Sequence, residues 1–375
     1  MKVLHVITGL GHGGAEAVMN RVIAGAREDE HVVVSLTAPE FYAAILEARH
    51  VPVHALNMPR GRVTPSGIRR LGAIVRQATP DVVQTWMYHA DLLGGIGARR
   101  AGIRNVVWGI HHSSLASETA LSTRLVARAC AMLSRTVPRY VICCSVRARD
   151  VHAGLGYQAR KMVVVSNGVD LEAFAPDPAA RARVRAELGI SPVARVCGTV
   201  ARWHALKDHA TLLAALARLR EGPWDWRAIL AGSGMTTSNT DLMALVREHG
   251  LEDRVVCVGP RADIPAIMCA VDLHVLPSSG EAFGNVTVEA MASGTPAVVT
   301  DVGAGAFIVG ATGWVVPPGN PERLSDAIRQ AFDEAGHADV WQRRKAAARD
   351  RAAAEFGAER MVREYRRVWR GDVSC

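Results

Sequence analysis

No apolar stretch in this 375-residue chain approaches the ~20 residues that a membrane-spanning helix needs. The amino end, MKVLHVITGLGHGG, carries one lysine and a short, largely apolar run, Val3 to Ile7. A secretory leader needs an apolar region of ~7–15 residues, so none is expected. Cysteine is sparse: there are seven, an odd number, and none stands at metal-ligand spacing. They read as small core hydrophobes in a reducing cytoplasm rather than as a disulfide framework. Lysine is scarcer still. Only four of the 44 basic residues are lysines, so each one, above all Lys207, stands out. There is no G-x-S-x-G turn and no P-loop, which removes serine-hydrolase and P-loop chemistry. Internal repeats are absent, and the only biased tract is an arginine-alanine run near Arg343 to Ala354.

With 49% hydrophobic and 21% charged residues, the chain reads as an ordinary soluble globule. Its length predicts two domains, because single cores stop growing near ~250–300 residues. The charge is unevenly placed. Residues 1–170 hold 20 Lys and Arg against 11 Asp and Glu, whereas residues 171–375 hold 24 against 25. The surplus of positive charge in the first half suggests an anionic partner or surface there, and nothing in the pattern points to nucleic acid.

Short apolar strands alternate with helix-patterned stretches almost throughout, which predicts parallel α/β sheets. In the first half, strands are expected at Val3–Ile7, Val32–Leu36, Val82–Gln84, Asn105–Gly109, Tyr140–Cys144 and Met162–Val165, with a helix over Ala120–Ser134. Turn residues in Asn167 to Asp177, followed by Pro178 and Pro192, break the rhythm and mark a hinge. The pattern then restarts with strands at Arg195–Val200, Arg227–Ala231, Val255–Val258, Leu273–Leu276, Ala297–Thr300 and Gly313–Val316. The expected fold class is therefore α/β, with two doubly wound parallel-sheet, Rossmann-like domains. These would be residues 1–170 and 195–353, joined by a linker at 171–194, with a last helical stretch within 354–375.

The most informative segment is Asp272 to Gly305, DLHVLPSSGEAFGNVTVEAMASGTPAVVTDVGAG. A strand runs into a Pro-Ser-Ser-Gly turn, Glu281 precedes Phe283-Gly284-Asn285, and Glu289 follows eight residues after Glu281 inside a helix pattern, Val286 to Ser293. This is a β-loop-α-β unit with one carboxylate in its loop and another on its helix. A helix N-terminus there favours anions, and carboxylates accept from sugar hydroxyls, so the unit suits a hydroxyl-rich, phosphate-bearing ligand. Upstream, Arg202 and Lys207 flank a short loop after a strand, five residues apart. Two cations so placed can converge on one diphosphate, although two solvated surface cations would look the same.

The pattern E-A-F-G-x-x-x-x-E-A-M-x-x-G-x-P-x-V resembles the E-x7-E signature of retaining, nucleotide-sugar-dependent glycosyltransferases of family four, which have the GT-B fold. The resemblance covers nearly the whole chain and is strongest from Ala194 to Gly319. It implies two domains facing across a cleft and a C-terminal helix that crosses back to the first domain. By that resemblance Arg202 and Lys207 lie against the donor diphosphate, Glu281 accepts from a donor-sugar hydroxyl and Glu289 from the ribose. The backbone of Phe283, Gly284, Asn285 and Val286 would donate to sugar and phosphate oxygens, and Gly232 and Gly234 would allow close approach. Arg261, in Gly259-Pro260-Arg261, is placed against the nucleotide base, but equally well pairs with Asp263 structurally. No D-x-D triplet occurs, so a metal-diphosphate grip is not indicated and neither metal nor cofactor is expected.

In the first half, Gly9, Gly11 and Gly14 satisfy G-x-G-x-x-G literally. That motif expects an acid closing the second strand, which here ends in Thr37-Ala38-Pro39, so a dinucleotide is rejected. The resemblance instead implies that Gly13 and Gly14 form a loop beside the donor phosphates and the acceptor. His111 and His112 end the fourth expected strand, and family members often carry a histidine there that faces the donor sugar; which of the two aligns stays open. Trp86, Tyr88, His89 and Asp91, after the third strand, are acceptor-side candidates.

The resemblance implies a retaining, metal-independent transferase that moves a sugar from a UDP-sugar or GDP-sugar to a saccharide or lipid-linked saccharide, as in polysaccharide or glycolipid assembly. The basic, amphipathic stretch around Arg124, Arg128, Arg135 and Arg139 suits an anionic membrane surface, and the chain is expected in the cytoplasm, peripheral at the inner membrane face. A nucleotide-sugar 2-epimerase of the same fold and a non-catalytic nucleotide-sugar-binding protein are the alternatives.

Overall fold

A computed structural model describes residues 1–112 and 121–373. The chain divides into two compact units. The first comprises residues 1–168 together with the chain from Ala358 onward, and the second is Val169–Gly357.

In the first unit the strands are β1 (Lys2–Ile7), β2 (Glu30–Ser35), β3 (Val53–Ala55), β4 (Val82–Trp86), β5 (Val106–Ile110), β6 (Tyr140–Cys143) and β7 (Met162–Val164). They form one sheet in the order β3-β2-β1-β4-β5-β6-β7, every pair parallel. The second unit holds β8 (Arg195–Val200), β9 (Trp226–Ala231), β10 (Val255–Gly259), β11 (Leu273–Leu276), β12 (Ala297–Thr300) and β13 (Trp314–Val316). Their order is β10-β9-β8-β11-β12-β13, again parallel throughout. The near-continuous apolar strands follow from this topology, because helices cover both faces of a parallel sheet. Leu212, Trp226 and Phe332 pack on one face of the second sheet, and Val184, Val196 and Ile267 on the other.

Each sheet reverses its strand order at one place, beside β1 and β4 in the first and beside β8 and β11 in the second. Ligand crevices form at the carboxyl ends of strands at such reversals. The Gly13-Gly14 loop follows β1, the Trp86–Asp91 segment starts at the last residue of β4, and the Arg202–Lys207 and Glu281–Glu289 segments follow β8 and β11.

Three expectations are corrected. Strand β3 lacks a signal because it is three residues long, at a sheet edge, with Pro52 before it and a polar His54 at its centre. Residues 171–194 are not a linker. They contain the helix Pro178–Glu187, capped by Asp177, whose Arg181 and Arg185 bind the Asp272 carboxylate at 2.6 and 2.8 Å. Arg185, only 2% exposed, also donates to the Ala270 and Ala194 carbonyls, tying the helix into the second unit. The last helical stretch is interrupted: one helix, Ala338–Phe356, belongs to the second unit, and after Gly357 the helix Ala358–Arg370 belongs to the first. Its Met361, Tyr365 and Trp369 enter the first core, and Trp369 Nε1 donates to Gln84 Oε1 at 3.0 Å. The helix expected over 120–134 is Leu121–Leu133; Ala120 lies outside the described residues.

Candidate active site

Strand β8 ends at Val200, and the chain turns through Arg202 into the short 3-10 turn Ala205–Lys207. His209 then holds this turn by a ring nitrogen placed 3.2 Å from the Arg202 carbonyl. After β11, the Ser279 backbone N–H donates to the Leu206 carbonyl at 2.9 Å, which fastens the Glu281 loop to the Lys207 turn. Thr300, ending β12, locks the same loop by donating to the Ser278 carbonyl at 2.6 Å. On this frame Lys207 Nζ donates to Glu281 Oε1, which also accepts from Ser278 Oγ at 3.1 Å. Both side chains are largely withdrawn from solvent, 21% and 13% exposed. Arg202 is exposed and makes no ion pair among the described residues. The two cations thus differ: Lys207 is held by a carboxylate and Arg202 is available.

Gly232 and Gly234 both have positive φ, and a Cβ on Gly232 would strike the Ala201 carbonyl. One on Gly234 would come within 2.7 Å of Trp203 Cβ. The turn after β9 therefore lies flush against the Arg202-Trp203 segment, with Trp203 N–H donating to the Ser233 carbonyl at 2.7 Å.

The helix Asn285–Ala292 begins at Gly284, whose φ of 99° favours glycine, and no side chain caps it. Its amino end, where the Thr287 N–H turns back to the Gly284 carbonyl at 2.9 Å, carries the partial positive charge of a helix start beside Glu281. Phe283 turns its ring into the core against Phe356, 5.9 Å away and edge-on, which leaves its backbone on the loop side. Glu289, on this helix, is buried. Sequence reasoning missed Gly303. Its φ is 56°, and a Cβ there would collide with the Glu281 carbonyl, so this glycine lets the β12 loop support the Glu281 loop.

Arg261 takes the structural alternative. It forks onto Asp263 with two bonds of 2.8 Å and reaches Glu187 with two more. These pairings hold the guanidinium charged and pull the Asp263 carboxyl below its usual range. Its side chain is thus committed to two carboxylates rather than presented to a base.

In the first unit, Gly13 precedes the helix Gly14–Gly25 and has no capping side chain. The Glu16 carboxylate occupies the space a Cβ on Gly13 would need. Beyond β5, His111 turns inward and stacks on Trp86 at 5.3 Å, while His112 is exposed. Burial pushes the His111 imidazole down to about 4, and neither of its ring nitrogens has a hydrogen-bond partner among the described residues. Ser113 and Ser114 lie outside the described residues.

Three of the four acceptor-side candidates are core residues. Trp86 is buried between His111 and Tyr365 of the last helix. The Tyr88 hydroxyl is buried 2.7 Å from His152 Nε2. Asp91 is buried, accepts from Thr85 Oγ1 at 2.5 Å, and is raised by burial to about 7. Only His89 remains half-exposed, its imidazole lowered by burial.

Two family profiles cover most of the chain: Glycosyltransferase Family 4 over residues 12–173 and Glycosyl transferases group 1 over 194–334. The chain belongs to the group 1, family-four glycosyltransferases. Anabaena HepE, solved in complex with UDP, superposes on this glycosyltransferase with a TM-score of 0.87 at 25% identity, covering 99% of this chain and all of HepE. The two α/β units thus have the GT-B architecture. EpsF of Bacillus subtilis is 26% identical over 80% of the chain and 79% of its own length. A D-inositol 3-phosphate glycosyltransferase of Kineococcus radiotolerans is 38% identical over 57% of the chain. The chain spans about half the length of that relative, 53%.

Proposed function

We propose that this glycosyltransferase moves a sugar from a uridine diphosphate sugar to a saccharide or lipid-linked saccharide, with retention at the anomeric carbon and without a metal ion. The observation that carries the reading is the second-unit cluster, where the Lys207–Glu281 pair, Arg202 and the amino end of the helix after Gly284 gather at the reversal of strand order. In the reaction the bond from the anomeric carbon to the diphosphate breaks, and the acceptor oxygen bonds to the same face. The acceptor proton passes to the departing phosphate oxygen. Negative charge therefore grows on the diphosphate, where Arg202, Lys207 and the helix amino end supply preorganised stabilisation. Glu281 orients the Lys207 ammonium and, with Glu289, accepts from donor hydroxyls. The lack of a D-x-D triplet and the presence of these two cations support metal independence.

A lipid-linked acceptor is favoured by the helix Leu121–Leu133. Leu121, Leu125 and Met132 are 75%, 63% and 77% exposed, and exposed Arg128 lies among them. An apolar stripe flanked by arginines suits an anionic membrane face.

The test is donor turnover with and without acceptor, in excess chelator, with the anomeric configuration of the product read by NMR. Acceptor-dependent UDP release that persists in chelator and yields a retained product is expected. Interconversion of donor sugars without acceptor would make it an epimerase, and binding without turnover would make it a binding protein.

A further inference from the structure

At the end of the first sheet opposite the Gly13 loop and His111, where β1 and β2 begin, lies a cavity of about 730 Å³. This is the size of a small-ligand site. Ile23 and Val51 give it an apolar wall, and Lys2, Arg27 and Arg49 give it cationic groups. Two acids also line it, but both are engaged. Asp29 is paired with the amino-terminal ammonium at 3.0 Å and with Arg366 at 2.9 Å, and Glu30 faces Lys2 at 3.6 Å. Arg27 donates only to the Ala24 carbonyl and Arg49 only to Asn20, so neither guanidinium has a carboxylate partner among the described residues. Two unneutralised forks beside an apolar wall match a phosphate carried on an organic body.

His31 lies on the cavity wall and begins a chain of contacts through the core. Its Nε2 is 3.0 Å from the Ala26 carbonyl, which can only accept, so Nε2 carries the proton and Nδ1 accepts. Nδ1 is 3.0 Å from His5 Nε2, which must then donate. That leaves His5 Nδ1 to accept from Trp86 Nε1 at 3.2 Å, and the Trp86 ring stacks on His111. Every bond is satisfied in one arrangement of neutral rings. A proton added to His31 makes Nδ1 a donor, so His5 must reverse its tautomer and turn an N–H against that of Trp86. The Trp86 indole, whose ring stacks on His111, then loses the acceptor of its N–H. Around His31 stand Asp29, the amino terminus, His5, Trp369, Lys2 and Glu30. Burial opposes the added proton and holds the imidazole below its usual value; the Ala26 carbonyl and Asp29 favour the proton, and the amino terminus opposes it. An anion in the cavity would add to the effect of Asp29.

We propose that this cavity binds a small organic phosphate and that His31, His5 and Trp86 transmit its occupancy to His111. The binding stands on the cavity alone, whereas an effect on turnover rests on the proposed function and on His111, rather than His112, being the histidine that neighbours the donor sugar.

Titration calorimetry on the full chain, with glucose 6-phosphate as probe and glucose as the neutral control, tests the site. It is run in saturating UDP and repeated on Lys207→Ala, because a phosphate could also enter the diphosphate site. Saturable binding of the phosphate alone is expected. Both conditions should leave it intact, and Arg27→Ala and Arg49→Ala should each weaken it about 10- to 100-fold, the loss of a charge-assisted hydrogen bond. No binding, or binding abolished by Lys207→Ala and untouched by the arginine variants, would overturn the site. Histidine-ring 15N spectra test the transmission. The probe should shift the ring nitrogens of His31 and His5 and change the rate of UDP release. His31→Gln keeps a donor for Ala26 and an acceptor for His5 but cannot take up a proton; it should bind the probe without those changes. A probe that binds yet moves no ring nitrogen, or that alters the rate equally in His31→Gln, refutes the transmission. The ring spectra need no turnover, so they answer even if the proposed transfer reaction fails.

Discussion

Lys207 and Glu281, 74 residues apart in the chain, are ion-paired between the carboxyl ends of β8 and β11. The carboxylate sets where the ammonium points and also subtracts from its field. Lys207→Ala therefore does two things: it removes a cation and takes that countercharge away from the Glu281 carboxylate, near the growing charge of the diphosphate. Arg202→Ala removes a cation only. Losing one preorganised charge-stabilising donor typically costs ~10²–10³ in rate. Arg202→Ala should fall in that range, and Lys207→Ala should be the slower of the two. Adding Glu281→Gln to Lys207→Ala should restore part of the loss, because the two residues act as a coupled pair. Steady-state kcat, with donor affinity measured separately, checks this. Wild-type turnover in either cation variant would remove the diphosphate site from this loop.

Gly284 and Gly303 support the same loop in different ways. At Gly284 a Cβ would meet only ordinary contacts, the nearest at 3.5 Å, so Gly284→Ala should cost only the conformational penalty of a positive φ, about 1–2 kcal/mol. In a unit of this size that is a fall of roughly 2–8 °C in the melting midpoint. At Gly303 the Cβ would meet the Glu281 backbone itself, so Gly303→Ala should destabilise more and also slow turnover by moving Glu281. Calorimetric melts and kcat on both variants check the ordering, and equal effects would refute it.

Acid should destabilise the fold well before its carboxylates protonate. Burial holds His111, His152 and His274 each near 4, and also lowers His5 and His31. An unfolded histidine titrates near ~6.5. Between about pH 4 and 6.5 the unfolded chain therefore binds more protons than the folded one, and stability rises with pH. These contributions are present above the unfolded value and are lost as pH falls below it. Asp91, raised to about 7, acts oppositely, contributing stability at low pH that is lost as pH rises toward 7. The histidines outnumber it, so the melting midpoint should drop steadily from pH 7 to pH 4.5. A flat profile over that range would contradict the buried, neutral histidines.

The exposed Leu121, Leu125 and Met132, with Arg128 among them, predict binding to anionic vesicles over neutral ones in sedimentation. The preference should shrink with salt, because the Debye length falls from ~10 Å at 0.1 M to ~3 Å at 1 M. Arg128→Glu should reduce it further, and Leu125→Ser should weaken binding to both vesicle types. Equal sedimentation with both would leave the lipid-linked acceptor without support.

By itself the sequence determined what depends on neighbours along the chain. Twelve of the thirteen strands could be placed, because a parallel strand is a short apolar run between turn residues. Gly232, Gly284, Lys207 and Glu281 were legible as a motif, since each sits a few residues from a strand end whose direction aims it at the crevice. The tertiary structure alone decided which residues of those strand ends face the crevice. Trp86 ends β4 and Tyr88 and Asp91 follow it, much as Arg202 and Lys207 follow β8, yet all three are buried. Trp86 is covered by Tyr365, 279 positions away, and Tyr88 bonds to His152, 64 positions away. Arg261 was indistinguishable from a ligand contact until Glu187, 74 positions upstream, was seen against it. That His111 turns inward and His112 outward was decided by the Trp86 ring, and the His31–His5–Trp86 chain joins three strands. Local periodicity says which way a strand runs and where it stops. Burial and pairing of the side chain at its end depend on what the fold brings over it.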